Sequence, residues 1–391
     1  MDKRVKRHVK AKVHDFFAVT APGLSGICAA ELAALPLSMP GTEVVDGGVE
    51  FSGRLPDLYL ANLCLATASR VLIRVAGFIA RDFDRLSREV ERVPWELLLP
   101  AGCRLAVDVS CRGSRLYHTG AVAERTEEAV ARVMDQARAP LAREGGAGYV
   151  QRLFVRGVAD GFVLSLDSSG ELLHKRGVIA AGPARAPLRQ TLAAAILRLC
   201  GYDGLMPLVD PMAGTGSFSV EAAFLAKNMP PGWFRDFPFP SWPAFSEKTF
   251  EHQKKTLAQE FKTLTSPSIF ASDLDPEAAT ALADRVERLG FTDAVRTAGA
   301  DFFYLDPRDL APGPGLVVIN PPYGLRLGDE TQAKDIFSRV ARRLRDKYPG
   351  WRVGLLSPQA GWAGGLGWTR GPEVTRLVHG GRPVFLFAGT V

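Results

Sequence analysis

Hydrophobic residues follow two different orders along the chain, and the change between them divides it. Up to about residue 168, short apolar or alternating runs at residues 16–19, 47–51, 70–75 and 104–109 predict strands, and helical spacing marks 27–35, 55–68, 83–93 and 119–138. The last of these helices carries Glu124, Glu127 and Glu128 in its first half and Arg132 and Arg138 later, the charge order that a helix dipole favours. Runs at 153–156 and 162–166 flank Asp160-Gly161 and predict a hairpin. This part reads as small α+β units.

From residue 188 the periods alternate. Helices are expected at 188–199, 218–228, 247–264, 276–289 and 336–348, with strands at 206–209, 269–273, 294–297, 316–319 and 352–357. An uninterrupted run such as Leu316-Val317-Val318-Ile319 belongs in a parallel sheet covered on both faces. Runs at 374–377 and 384–387, joined through Gly380-Gly381, predict an antiparallel hairpin that closes the sheet. The fold class is therefore α/β, a doubly wound and mostly parallel sheet preceded by α+β units. The expected boundaries are a basic tail at 1–14, α+β units at 15–69 and 70–168, a Gly-, Ala- and Pro-rich linker at 169–187, and the parallel-sheet domain at 188–391.

Ligands of such sheets bind beyond the carboxyl ends of the strands. Asn320-Pro321-Pro322-Tyr323 stands there, directly after the run 316–319. The prolines stiffen the turn and remove two backbone donors, leaving carbonyls free. The Asn320 side-chain oxygen and the Pro321 carbonyl can accept the two N–H groups of an exocyclic amine, while Tyr323 stacks on its ring. The same residues would also serve as a rigid end to a strand.

Asp210-x-x-x-Gly214-x-Gly216 follows a strand and opens a helix, the setting in which a glycine turn can lie against a ligand. Ser219 stands where a dinucleotide site has its third glycine, and the next strand-end acid, Asp273, comes far later than ~20 residues. An adenosyl ligand without phosphates fits better. Asp273 can hold ribose hydroxyls, and Asp301, after the following strand, can accept from an adenine amine.

Charge adds less than its total implies. The chain carries a net +6, but residues 1–12 hold six Lys and Arg against one Asp and account for +5 of it. This tail is either an arm for a phosphate backbone or a solvated end. It lacks the apolar centre of a signal peptide, and no apolar run approaches ~18 residues, so the expected location is the cytoplasm, without a membrane partner. Five scattered cysteines lacking a Cys-x-x-Cys pair read as small reduced hydrophobes, and no metal site is expected. Arg112, Ser114, Arg115, Tyr117 and His118 place cations beside an aromatic, either an RNA-facing group or a solvated turn.

Asp210-Pro-Met-Ala-Gly-Thr-Gly216, Ala271-Ser-Asp-Leu-Asp-Pro276 and Asn320-Pro-Pro-Tyr-Gly324 resemble the S-adenosylmethionine and target-base motifs of class I amino-methyltransferases. Leu173-His-Lys-Arg-Gly177, Ala186-Pro-Leu-Arg-Gln-Thr-Leu192 and Pro230-Pro-Gly-Trp233 narrow the resemblance to RNA methyltransferases that carry a THUMP domain, and Leu116-Tyr-His-Thr-Gly120 and Ser165-Leu-Asp-Ser-Ser-Gly170 agree. The similarity covers nearly all of the chain after the tail and points to bacterial 23S ribosomal RNA guanine-N2 methyltransferases without a second fused methyltransferase. It implies a seven-stranded Rossmann-like methyltransferase domain at 188–391, a ferredoxin-like unit at 15–69 and an RNA-binding THUMP domain at 70–168.

The resemblance further implies S-adenosylmethionine as cofactor, held by Asp210, Met212, Gly214, Gly216, Asp273, Asp301 and Pro187. Asn320, Pro321, Pro322 and Tyr323 become the catalytic residues, and Arg112, Arg115, Tyr117, His174, Lys175 and Arg176 the contacts to substrate RNA. The family's turn more often reads Cys-Gly-Ser-Gly-Thr, against Ala213-Gly-Thr-Gly-Ser217 here, a set of small-for-small changes. The tetrapeptide does not separate guanine N2 from adenine N6. A transfer-RNA guanine-N2 enzyme, a DNA adenine or cytosine amino-methyltransferase and a non-catalytic RNA-binding protein therefore stand beside the main reading.

Overall fold

The computed structural model describes residues 2–142, 149–177, 188–322, 330–362 and 365–391. The chain forms two compact units, the first made of Met1–Thr20, Cys28–Leu173 and Asp236–Lys255, the second of Ala21–Ile27, His174–Arg235 and Thr256–Val391.

The first unit holds β1 (His14–Thr20), β2 (Thr42–Val45), β3 (Gly48–Gly53), β4 (Ala68–Ile79), β5 (Arg104–Arg112), β6 (Val150–Val158) and β7 (Gly161–Asp167). They form one sheet in the order β2-β3-β1-β4-β7-β6-β5. All neighbours are antiparallel except β5 and β6. The two expected units at 15–69 and 70–168 thus share a continuous sheet. The long β4 joins them, pairing with β1 over its first half and with β7 over its second. No strand was expected at β2, whose residues are all at least partly exposed and lack the apolar alternation that would mark one.

One segment departs from its expected domain. Residues 236–255, assigned by position to the parallel-sheet domain, belong to the first unit. Phe239 and Trp242 are buried in that unit's core, where Phe239 stacks on Tyr59 with ring centroids 4.7 Å apart. Trp242 Nε1 donates to Gln151 Oε1 at 2.8 Å, and Gln253 donates to the Pro56 carbonyl at 2.9 Å. Each large side chain buried this way is worth about 1.5–3 kcal/mol, enough to draw a connecting segment onto a core distant in sequence.

The second unit holds β8 (Leu208–Asp210), β9 (Ile269–Asp273), β10 (Val295–Gly299), β11 (Leu316–Ile319), β12 (Arg352–Ser357), β13 (Glu373–His379) and β14 (Arg382–Thr390). Their order is β10-β9-β8-β11-β12-β14-β13. Strands β8 to β12 run parallel, and β14 pairs antiparallel with β12 and β13, the expected closing hairpin. This is the Rossmann-like architecture that the resemblance implied.

Alternate residues of the central strands enter two different layers. Leu208, Leu316 and Val318 pack with helices Gln190–Leu199 and Ser217–Ala226, whereas Val209, Val317 and Ile319 pack with helix Glu330–Lys347. Strand order reverses between β8, which continues to β9, and its other neighbour β11. A crevice opens at such a switch point, at the carboxyl edge of the sheet. Among the described residues no helix is long and apolar enough to cross a membrane.

Candidate active site

Because β8, β9, β10 and β11 are parallel, the residues that follow them meet along one edge. β8 ends in Asp210, which is only 1% exposed. Its Oδ2 accepts from the Ser219 amide at 3.2 Å and the Ser219 hydroxyl at 2.6 Å. Its Oδ1 is buried with no partner among the described residues. Burial pushes the Asp210 carboxyl up to about 7, against the two Ser219 hydrogen bonds, with the nearby Asp273 charge adding to the rise.

The turn after β8 needs its glycines. Gly214 (φ +53°) and Gly216 (φ +78°) both adopt the left-handed conformation, and Gly216 stands at the N-terminal cap of helix Ser217–Ala226. A Cβ on Gly216 would meet Leu282 Cδ1 at 2.2 Å, whereas one on Gly214 would meet nothing within 4 Å. Gly214 therefore borders open space. Its amide donates to Asp273 Oδ2 at 2.7 Å, and Asp273 Oδ1 accepts from the Asp275 amide at 2.9 Å, so this acid ties the turn to the end of β9. Ser272, one residue earlier, keeps a buried hydroxyl without a partner among the described residues. Asp301, just after β10, accepts from the Phe303 amide at 2.9 Å. Met212 is half-buried against the layer that contains Ile319 and Phe302.

Asn320 follows β11 across the switch point from the glycine turn. Its Oδ1 is buried and has no partner among the described residues, and Pro321 beside it is buried. Tyr323 and Pro187 lie outside the described residues.

The expected RNA contacts divide between the units. In the first, Arg112 at the end of β5 and Arg115 and Tyr117 beyond it are exposed, with the Arg115 amide donating to Asp160 Oδ1 at 2.7 Å and the Tyr117 ring 4.1 Å from that of His118. In the second, Lys175 is exposed. His174 is held at about 4 by burial, with the charges of Arg189, Arg176, Lys175 and Arg235 acting the same way, so it is neutral near pH 7.

Arg176 corrects its expected role as a surface cation for RNA. It is 1% exposed and forms a bidentate pair with Glu221, Nε to Oε1 at 2.8 Å and Nη2 to Oε2 at 3.0 Å. It does so at φ +51°, a conformation that costs a non-glycine residue about 1–2 kcal/mol. A buried network continues from it. Gln190, with its amide oriented to satisfy both sides, donates to Glu221 at 3.2 Å and to the Ser217 carbonyl at 3.0 Å, and accepts from Arg285 at 2.7 and 3.0 Å. Arg285 in turn donates to the Thr215 carbonyl at 3.0 Å, and Ser217 Oγ to the Leu188 carbonyl at 2.7 Å. The glycine turn is thus braced from behind by residues that the motifs did not single out. One signal for them exists in the sequence, since Glu221 is the sole charge in the apolar helix SFSVEAAFLA and requires a buried partner.

Residues 181–360 match the family described as RMKL-like, methyltransferase domain, and residues 15–72 match the RlmL ferredoxin-like domain. The ribosomal RNA large subunit methyltransferase K/L of Methylococcus capsulatus is 33% identical over 363 residues, which cover 88% of this chain and 47% of that protein. The chain spans about half the length of the first curated relatives it matches. A Synechocystis protein named "Putative RNA methyltransferase slr0064" is 30% identical over 352 residues, with 89% of each chain covered. The crystal structure of SMU.472 complexed with SAH matches with a TM-score of 0.86 at 25% identity, over 97% of this chain and 98% of that one.

Proposed function

Because the chain belongs to the RMKL-like methyltransferase family, we propose that it transfers a methyl group from S-adenosylmethionine to the exocyclic N2 amine of a guanine in RNA, with 23S ribosomal RNA as substrate. The observation that carries the chemistry is the buried Asn320 Oδ1 without a partner among the described residues. A buried acceptor left unpaired costs about 1–3 kcal/mol. An amine delivered to the end of β11 supplies the missing donor. The names of the relatives support RNA, and ribosomal RNA within it, as the carrier of that amine.

The neighbouring strand ends suit the cofactor. Asp210 Oδ1 and Ser272 Oγ are buried without partners among the described residues, and the space beside Gly214 is open. Asp273 accepts one amide on each oxygen and keeps lone pairs for ribose hydroxyls, while Asp301 retains acceptor capacity for an adenine amine. Each of these groups can accept a hydrogen bond, and the expected ligand offers donors in its ribose hydroxyls and amines. When bound, S-adenosylmethionine supplies an activated methyl group on its sulfonium.

The protein's own contribution is to hold the amine and to stabilise its charge. An aromatic amine is a weak nucleophile because its lone pair conjugates with the ring. Asn320 Oδ1 and the Pro321 carbonyl accept its two N–H bonds and stabilise the positive charge that develops as the nitrogen forms its new bond. The stiff turn fixes the direction of approach. The methylated nitrogen then loses its proton readily, so no strong base is required. Tyr323, expected to stack on the flipped base, completes the reading.

The test is incubation with methyl-labelled S-adenosylmethionine and unmodified ribosomal and transfer RNA, followed by nucleoside mass spectrometry. Labelled N2-methylguanosine from ribosomal RNA is the expected result. Label confined to transfer RNA or to adenosine reassigns the substrate, and cofactor binding without any label overturns catalysis. Asn320→Ala should lower kcat by about 10²- to 10³-fold while leaving cofactor affinity by calorimetry unchanged; equal loss in both would remove Asn320 from the proposed role.

A further inference from the structure

The loop after β10 presents an aromatic ring in an unusual way. Phe302 is buried in the layer formed with helix Glu330–Lys347. The next residue, Phe303, lies under the guanidinium of Arg339, 4.1 Å from the ring centroid. Arg343 donates to the Leu305 carbonyl, and the loop's own hydrogen bonds run from the Phe303 amide to Asp301 Oδ1 at 2.9 Å and from the Tyr304 amide to the Asp301 carbonyl at 3.0 Å. Residues on both sides of Tyr304 are thus anchored. Tyr304 itself is 86% exposed.

The helix that brings Arg339 to this loop carries a further exposed cation. Arg339 and Arg342 are exposed one helical turn apart on the same helix, and neither has an ion-pair partner among the described residues. Arg308, by contrast, is spent on Asp306, with contacts of 2.6 and 2.9 Å. A bare aromatic ring on an anchored loop, one residue from the Phe303–Arg339 contact and with a second exposed guanidinium on the same helix, matches the alternation of base and phosphate in a single strand.

We infer that Tyr304 is a stacking platform for an unpaired base of the substrate RNA, with Arg339 and Arg342 holding the adjoining phosphates. This rests on the RNA methyltransferase reading above and extends the substrate's footprint from the target base to a nucleotide flanking it. The nucleotide is recognised without regard to base identity, because the contacts are to a ring face and to phosphates.

The experiment uses the full chain with an unmodified 23S ribosomal RNA transcript, measuring kcat and KM for RNA, and calorimetry for the cofactor. Tyr304→Ala should raise KM for RNA about 10-fold or more, leave kcat and cofactor affinity within about twofold, and be rescued by Tyr304→Phe. Arg342→Ala should raise KM less and flatten its dependence on salt. Since these side chains are exposed, the melting temperature should not move. An unchanged KM in Tyr304→Ala overturns the inference alone, as does an equal loss of cofactor affinity, which would place the ring in the cofactor pocket. A wild-type chain that methylates no RNA overturns both this inference and the reading beneath it.

Discussion

Glu221→Leu is the most informative perturbation of the scaffold behind the glycine turn. Arg176 and Glu221 are 1% and 2% exposed, and Arg285 is buried beside them through Gln190. Two guanidinium groups therefore share one carboxylate. Removing one member of a buried pair costs about 3–5 kcal/mol, chiefly because its partner's charge is left uncompensated. The two single substitutions should differ. Without Arg176, Glu221 still faces Arg285 across Gln190, and the cluster becomes neutral. Without Glu221, two buried cations remain and Gln190 loses an acceptor. Glu221→Leu should therefore cost about 5 kcal/mol and Arg176→Met nearer 3 kcal/mol, with a fall in melting temperature of ~10–20 °C for the former. The double variant should cost less than the sum of the two. Urea unfolding followed by hydrogen exchange over helix Ser217–Ala226 reads the second unit separately from the first. An equal or larger loss in Arg176→Met, or a strictly additive double variant, would refute the charge account.

Asp210 gives stability a pH dependence of definite sign. Its carboxyl rises from 3.8 to about 7 on folding, so the folded state holds the extra proton between those values, and stability should fall as pH rises through that window and stay level on either side of it. Asp210→Asn should abolish this fall, measured as the difference in urea unfolding between wild type and variant from pH 4 to pH 8; parallel curves would contradict it. Gly214→Ala should separate stability from binding: adopting φ +53° costs alanine about 1–2 kcal/mol, while its methyl enters space now open and should weaken cofactor binding at least 10-fold by calorimetry. Unchanged affinity would mean that no ligand lies against Gly214.

The sheet of the second unit was legible because a run such as Leu316-Val317-Val318-Ile319 can satisfy two apolar layers only as a central strand, and the structure sends its alternate residues to two different layers. The same logic located the strand-end residues, since parallel strands put Asp210, Asp273, Asp301 and Asn320 on one edge wherever their loops lead. What escaped was every assignment that depended on a partner far away in sequence. The aromatics of 236–255 announced burial but not that Tyr59, Gln151 and Pro56 would receive them. Arg176 announced a charge but not its partner 45 residues away. Tyr304 announced nothing, because exposure follows from how its neighbours are anchored. A basic residue in a nucleic-acid enzyme is therefore best weighed by the carboxylate that claims it. Where burial and a bidentate partner take the charge, as at Arg176, it braces the fold behind the glycine turn. Where it is exposed and no carboxylate among the described residues takes it, as at Arg339 and Arg342, it remains available to a polyanion.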